Sequence, residues 1–116
     1  MLHVQLSTSD RSPIYEQVAA EIRSAIARGE CLPGERLPPA RDLAAVLDVN
    51  TNTVLRALRL LRDNGILEFR RGRGIRVTDD APERSTIEDQ LLKLLATARR
   101  LGYSKHEIIE LIGQLP

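Results

Sequence analysis

The sequence predicts a mainly α-helical fold carrying one small β-hairpin. Apolar residues recur at three- and four-residue spacing through five separate stretches, and glycine or proline marks most of their ends. One strand-like run, residues 66–77, doubles back over a glycine-containing turn. The 116 residues leave room for one compact domain and a small appendage, since single domains cluster at about 100–150 residues. With 42% hydrophobic residues but two Tyr, one Phe and no Trp, the core must be built from Leu, Ile, Val and Ala. Aromatic stacking of single-stranded bases is not expected from such a composition.

His3-Val4-Gln5-Leu6 alternates as an edge strand does. Ser12-Pro13 then offers an N-cap followed by proline at the first helical position. The first helix carries Ile14, Val18, Ile22, Ala25 and Ile26 as its core stripe and meets a stop at Gly29. Three of the six prolines fall between Leu32 and Pro39, which excludes regular helix there and predicts a stiff connection. A second helix from Ala40 places Leu43, Ala44 and Leu47 on one face and ends near Asp48-Val49. Asn50 caps a third, Thr51 to Asn64, with Val54, Ala57, Leu58 and Leu61 inward and Gly65 beyond its end. Two short helices joined this tightly have the size of a helix-turn-helix.

At 100° per residue, the side of the third helix opposite its apolar stripe carries Asn52, Arg56, Arg59 and Asp63. Arginine pairs in bidentate fashion with guanine and asparagine with adenine, while the Thr51 and Thr53 hydroxyls suit phosphate oxygens. The following hairpin has a basic tip in which Arg71 and Arg73 alternate with Gly72 and Gly74, the chemistry of a wing that approaches the backbone or the minor groove. Residues 51–77 hold seven arginines against two acidic side chains, a balance of +5, whereas the chain as a whole is only +1. The bland alternative is a winged-helix protein-interaction module whose basic face is merely solvated.

Asp79 to Glu83, with Pro82, reads as a polar linker. Ser85-Thr86-Ile87-Glu88 and Ser104-Lys105-His106-Glu107 each have the pattern of a capping box. The helices they open carry Ile87, Leu91, Leu94, Leu95, Ala98 and Leu101, then Ile108, Ile109, Leu111, Ile112 and Leu115. A helical pair of this size exposes too much apolar surface to stand alone, so it is expected to pair two subunits. The expected organisation is a DNA-binding winged helix-turn-helix over residues 1–78, a linker over 79–84 and a two-helix dimerisation tail over 85–116.

Catalysis and metal binding are not expected. Cys31 is the one cysteine and reads as a packing or surface residue, His3 and His106 are isolated, and no nucleophile, base and orienting group come together in sequence. No run approaches the roughly 20 apolar residues of a membrane span, and Met1-Leu2-His3-Val4-Gln5 lacks the regions of a signal peptide, so a cytoplasmic protein is expected.

In order along the chain stand Pro13-Ile14-Tyr15-Glu16-Gln17-Val18, Pro33-Gly34-Glu35-Arg36-Leu37-Pro38, Arg41-Asp42-Leu43-Ala44, Val49-Asn50-Thr51-Asn52-Thr53-Val54 with Arg56-Ala57, and Arg71-Gly72-Arg73-Gly74-Ile75. This ordered set resembles the GntR family of bacterial transcription regulators, most closely its short YtrA-type branch, over nearly the whole length. The resemblance implies that Arg41, the turn from Asn50 to Thr53 and Gly72 fall at DNA-contact positions, and that Arg56 matches a basic residue common in the branch. It departs from the pattern at Thr51, where many relatives have Arg or Pro, and at Leu58, where the branch often has Tyr. It further implies that the tail is a dimerisation module and that the chain represses neighbouring transport genes; a twofold dimer is then expected to bind an inverted-repeat operator. The tail of about 35 residues is too short to enclose a pocket of the usual roughly 300–1,000 Å³, which leaves a site between subunits for a small-molecule effector.

Overall fold

The computed structural model describes residues 12–116, so the edge strand expected over His3–Leu6 lies outside the described residues. In chain order the elements are α1 (Ile14–Ala27), α2 (Ala40–Leu47), α3 (Thr51–Asp63), β1 (Leu67–Arg70), β2 (Gly74–Val77), α4 (Ala81–Arg100) and α5 (Lys105–Gln114). The predicted class, mainly helical with one antiparallel hairpin, is the observed one.

The periodicity of α1 buries Val18, Ile22, Ala25 and Ile26 completely, against Val54, Ala57, Leu58 and Leu61 of α3, which are equally inaccessible. Each such Val, Ile or Leu contributes about 1.5–3 kcal/mol by leaving water. Ile14 departs from the expected stripe. It is 41% exposed, because the first turn of α1 borders a surface groove beside the start of α3 instead of the buried face.

The proline-rich connection is stiff, as its composition predicts, but it also completes the sheet. Leu37 N–H donates to the Ile75 carbonyl at 2.9 Å and Val77 N–H to the Glu35 carbonyl at 3.0 Å, bridging Arg36 to Arg76 beside the hairpin. The hairpin itself pairs Leu67 with Val77, Glu68 with Arg76, Phe69 with Ile75 and Arg70 with Gly74.

At the end of α3, Gly65 N–H bonds the Arg62 carbonyl and Ile66 N–H the Leu61 carbonyl, both at 2.9 Å. This Schellman ending needs the left-handed φ of +79° that Gly65 supplies. The same glycine lets the Arg84 guanidinium of α4 lie against it, since a Cβ there would come within 2.6 Å of Nη1. Thr78 ties the same corner, its hydroxyl donating to the Gly65 and Ile66 carbonyls at 2.8 and 3.1 Å.

The expected linker over residues 79–84 is not an open connection: Asp79 and Asp80 form a turn and α4 begins at Ala81. Proline is tolerated in a first turn, where its missing N–H has no partner to lose, so Pro82 starts α4 instead of interrupting the chain. Ala81 is fully buried and anchors this start in the core. Ser85 consequently lies inside α4 with its hydroxyl buried and unpartnered among the described residues, and it caps nothing. The second expected box does form: Ser104 Oγ accepts from Glu107 N–H at 3.1 Å and Glu107 Oε1 from Ser104 N–H at 3.0 Å, opening α5.

Helix α4 packs along α1 through a polar seam that periodicity does not reveal. Arg23 is 5% exposed and its Nε donates to Glu88 at 2.8 Å, while Ser24 Oγ donates to Asp89 at 2.8 Å. Burial alone pushes the Asp89 carboxyl up, but the hydrogen bonds from Ser24 and Lys93 outweigh it and hold the group below the usual carboxylate range.

Replacing Glu88 by Ala strands a buried guanidinium and should lower stability by about 2–3 kcal/mol. A paired Arg23→Met, Glu88→Leu variant should recover most of it, and urea melts of the two variants check both statements. Gly65→Ala should cost about 1–2 kcal/mol from the left-handed backbone alone, visible as a lower urea midpoint at unchanged slope. Because the folded pKa of Asp89 is depressed, its contribution is complete above the ordinary carboxylate range and fades as pH falls through the folded value. Asp89→Asn should therefore flatten the acid limb of a plot of stability against pH, measured by urea melts below about pH 5.

Candidate nucleic-acid interface

Helix α2 ends at Asp48 in the left-handed region, φ 55°, and Val49 N–H returns to the Ala44 carbonyl at 3.1 Å. Aspartate is among the few residues that visit this conformation readily. Asn50 then caps α3, its side-chain oxygen accepting from Asn52 N–H at 2.7 Å and its carbonyl from Thr53 and Val54. Two helices thus meet across residues 48–50, and the burial of Val54, Ala57, Leu58 and Leu61 turns Thr51, Asn52, Arg56 and Arg59 to the surface. Thr53 is half-buried. Arg41 stands at the start of α2 with its side chain 84% exposed, its Nε 4.0 Å from Asp42.

Arg56 is not a free side chain on that surface. Its guanidinium carbon sits 4.0 Å from the centroid of the Tyr15 ring, a cation–π contact between α3 and the first turn of α1. Asn52, Thr53 and Arg56 together with Ile14 and Tyr15 line a groove of about 260 Å³. Sequence reasoning missed Tyr15. The signal was present in a polar aromatic residue interrupting the first turn of an amphipathic helix, but only the packing of α1 on α3 gives it a partner.

In the wing, Arg73 N–H donates to the Arg70 carbonyl at 2.9 Å and closes the turn. Arg71, Gly72 and Arg73 are exposed, and a Cβ on Gly72 would meet nothing within 4 Å. Gly74 behaves differently. It is covered by Arg36, whose Nε would lie 2.6 Å from a Cβ at that position, so its smallness serves the bridge between the connection and β2.

The arginines of residues 51–77 divide into two groups. Arg62 lies over the Phe69 ring with its carbon 4.9 Å from the centroid, Arg70 Nε pairs with Glu68 at 3.1 Å, and Arg76 Nη1 donates to the Gly34 carbonyl at 3.1 Å. Arg62 and Arg76 brace the wing against α3 and the proline-rich connection, while the Arg70 pair stays within β1. Arg59, Arg71 and Arg73 have no side-chain partner among the described residues, and with Arg56 they form the available cationic surface.

Among the described residues no group of three or more His, Cys, Asp and Glu could hold a metal ion, and no helix is long and apolar enough to cross a membrane. Cys31 is buried in the core cluster, and burial, followed by the nearby Glu35 carboxylate, raises its thiol above the ordinary value.

The tail residues also separate. Ala98 and Ile108 are buried within the chain, at 4% and 8% exposure, where α5 folds back on α4. Ile87, Leu91, Leu94, Leu101, Ile109, Leu111, Ile112 and Leu115 are exposed, and Leu95 is half-buried. The exposed stripe of α4 persists because α1 takes a different face, that of Ala81, Ser85, Glu88 and Asp89. Leu92, absent from the predicted stripe, is 44% exposed as well.

The sequence model described as "Bacterial regulatory proteins, gntR family" matches residues 14–77. The HTH-type transcriptional repressor YtrA of Bacillus subtilis (strain 168) is 30% identical over 118 residues, an alignment covering 97% of this chain and 91% of YtrA. A GntR family transcriptional regulator from Listeria monocytogenes superposes with a TM-score of 0.66 at 31% identity, over 93% of this chain and 99% of that one. AraR(DBD), solved in complex with operator ORX1, superposes with a TM-score of 0.59 at 30% identity, over 66% of this chain and 96% of its own. A helix pair with a capped, basic-faced second helix, a glycine-tipped wing and a helical tail, matched over nearly the full length, make this chain a member of the gntR family of bacterial regulatory proteins, of the short YtrA type.

Proposed function

We propose that the chain is a transcription regulator that binds duplex DNA in sequence-specific fashion and represses transcription as a homodimer in the cytoplasm, with a site between subunits for a small-molecule effector. The carrying observation is the exposed cationic surface, free of carboxylate partners, formed by Arg56 and Arg59 on an exposed helix face and by Arg71 and Arg73 on the wing. Family membership and the operator-bound state of AraR(DBD) support the same reading. The repressor sense is supported by the name of the B. subtilis relative. In this role α3 enters the major groove, Arg56 and Asn52 read base edges, and Arg71, Gly72 and Arg73 follow the backbone or the narrow groove. Arg41, Asn50, Thr51, Thr53 and Arg59 contact phosphate or flanking bases, while Gly74 acts indirectly by seating Arg36.

The exposed leucines and isoleucines of α4 and α5 supply the surface for a second copy, residues 85–116 forming the dimerisation region joined to the winged helix without a linker. A twofold dimer presents its recognition helices to successive major grooves, giving an inverted repeat with half-site centres about 10 bp, or a multiple of that, apart.

Selection of duplexes from a random pool by the purified full-length protein tests this directly: an inverted repeat is expected, and recovery of no enriched sequence overturns the reading. On the selected site, Arg56→Ala should cost about 1–3 kcal/mol and relax preference at one base position. Tyr15→Ala should lose part of the same discrimination because the guanidinium is no longer held, whereas Tyr15→Phe keeps the ring and should not. Arg73→Ala should weaken selected and random DNA alike and reduce the slope of log affinity against log salt by about one unit. Salt-dependent binding curves on both duplexes separate these behaviours, and equal loss from Arg56→Ala on the two duplexes assigns that residue to charge alone.

A further inference from the structure

The outward face of the wing sheet carries charge that belongs neither to the recognition helix nor to the wing tip. Residues paired across an antiparallel sheet share a face, so the register of Glu68 with Arg76 and of Arg70 with Gly74 puts these four on one side. The bridge of Arg36 to Arg76 adds Arg36 to them, while Leu67 and Val77 face the core on the other side. Three guanidiniums therefore share a small surface with the carboxylate of Glu68, which Arg70 already engages at 3.1 Å. Like charges set directly opposite each other destabilise a sheet.

The two facing arginines relieve this by leaning apart. Arg76 turns toward Gly34 and donates to its carbonyl at 3.1 Å. Arg36 turns the other way, toward the wing tip, and its guanidinium lies flat on Gly74, where a Cβ would stand 2.6 Å from Nε and 3.1 Å from both Cζ and Nη2. Arg36 is exposed, with no side-chain hydrogen bond or ion pair among the described residues. Strand alternation turns the neighbouring Glu35 to the opposite side, where its carboxylate acts on the Cys31 thiol instead of neutralising Arg36.

Resting on the reading of the chain as a DNA-binding regulator, we propose that Arg36 is a further DNA-contact residue, held on Gly74 at the root of the wing to bind a backbone phosphate of the duplex beside the stretch met by Arg71 and Arg73. A polyanion supplies what this face lacks. Phosphate oxygens accept from the outer edge of the guanidinium, and their charge offsets the repulsion between Arg36 and Arg76. Because the side chain is already laid on the Gly74 backbone, less entropy is lost when it docks. Arg36 lies outside the arginine-rich run of residues 51–77 and reaches the wing only because the proline-rich connection pairs with β2. Its contribution is affinity without base preference.

The test titrates the full-length protein with its selected duplex and with a random duplex of equal length, from about 50 to 200 mM salt. Arg36→Gln should weaken binding to both by a similar factor and reduce the slope of log affinity against log salt by about one unit, whereas Arg36→Lys keeps the charge and most of the slope. Glu35→Gln changes the net charge by as much from the other side of the strand and should leave the slope unaltered. Ethylation interference should show one phosphate per half-site that matters to the wild-type protein and not to Arg36→Gln. If Arg36→Gln proves unstable, Arg36→Met keeps the stem against the sheet and makes the same measurement. A lower melting temperature with an unchanged slope reveals a brace instead of a contact and overturns the proposal, as does an equal and opposite slope change from Glu35→Gln, the mark of a long-range field alone. If the wild-type protein binds both duplexes and Arg36→Gln keeps its slope and phosphate pattern, this proposal fails by itself; if the wild-type protein binds neither, the reading of the chain as a regulator fails with it.

Discussion

Helix α1 is the member on which the outward-facing parts of this molecule depend, because it is packed on two sides at once. One side seats Val18, Ile22, Ala25 and Ile26 against α3 and leaves no exposed surface on any of them. The other holds α4 by charge and hydroxyl, through Arg23 to Glu88 and Ser24 to Asp89. The apolar contact is forgiving in register and large in energy. The polar one is smaller but directional, because a guanidinium and a carboxylate pair only over a narrow range of distance and angle. The recognition helix and the tail are therefore set relative to each other through one shared strut instead of through a flexible connection.

The same economy governs charge. A run of arginines suggests a uniformly sticky surface, but Arg62, Arg70 and Arg76 are occupied by a ring, a carboxylate and a carbonyl. Arg62 ties the hairpin to α3 and Arg76 ties it to the proline-rich connection, while Arg59, Arg71 and Arg73 have no side-chain partner among the described residues. Arg56 stands between the groups, since stacking on Tyr15 restrains its orientation without consuming its donor edge. Restraint of this kind lowers the entropy lost when a long side chain docks.

The tail presents the opposite problem. Its polar face is spent on α1, and where the short α5 folds back on α4 only Ala98 and Ile108 become buried, so a broad apolar stripe stays in water. Contiguous apolar surface of this sort is uncommon on monomers and marks an interface. In the homodimer proposed above, a second copy of the same stripe would cover it in a twofold arrangement, where one patch faces itself.

The amino-acid sequence by itself determined the helices, most of their C-terminal ends and most of the inward faces of α1 to α3, since these follow from local periodicity and from glycines placed where a chain must turn left-handed. Gly29, Gly65 and Gly102 stop three helices as their positions predict, and Asn50 caps α3. The basic face of α3 and the wing were legible for the same reason, being fixed by helical phase and a two-residue alternation. Four features were decided only by the tertiary structure: the extension of α4 back to Ala81, the use of Gly74 as a seat for Arg36, the exposure of Ile14, and the clamping of Arg56 by Tyr15. Each depends on contacts between segments distant in sequence. Pro82 and Ser85 look like a linker and a cap until Ala81 is buried in a core assembled by other elements, and no local pattern encodes which arginine finds a ring or a carboxylate across the fold.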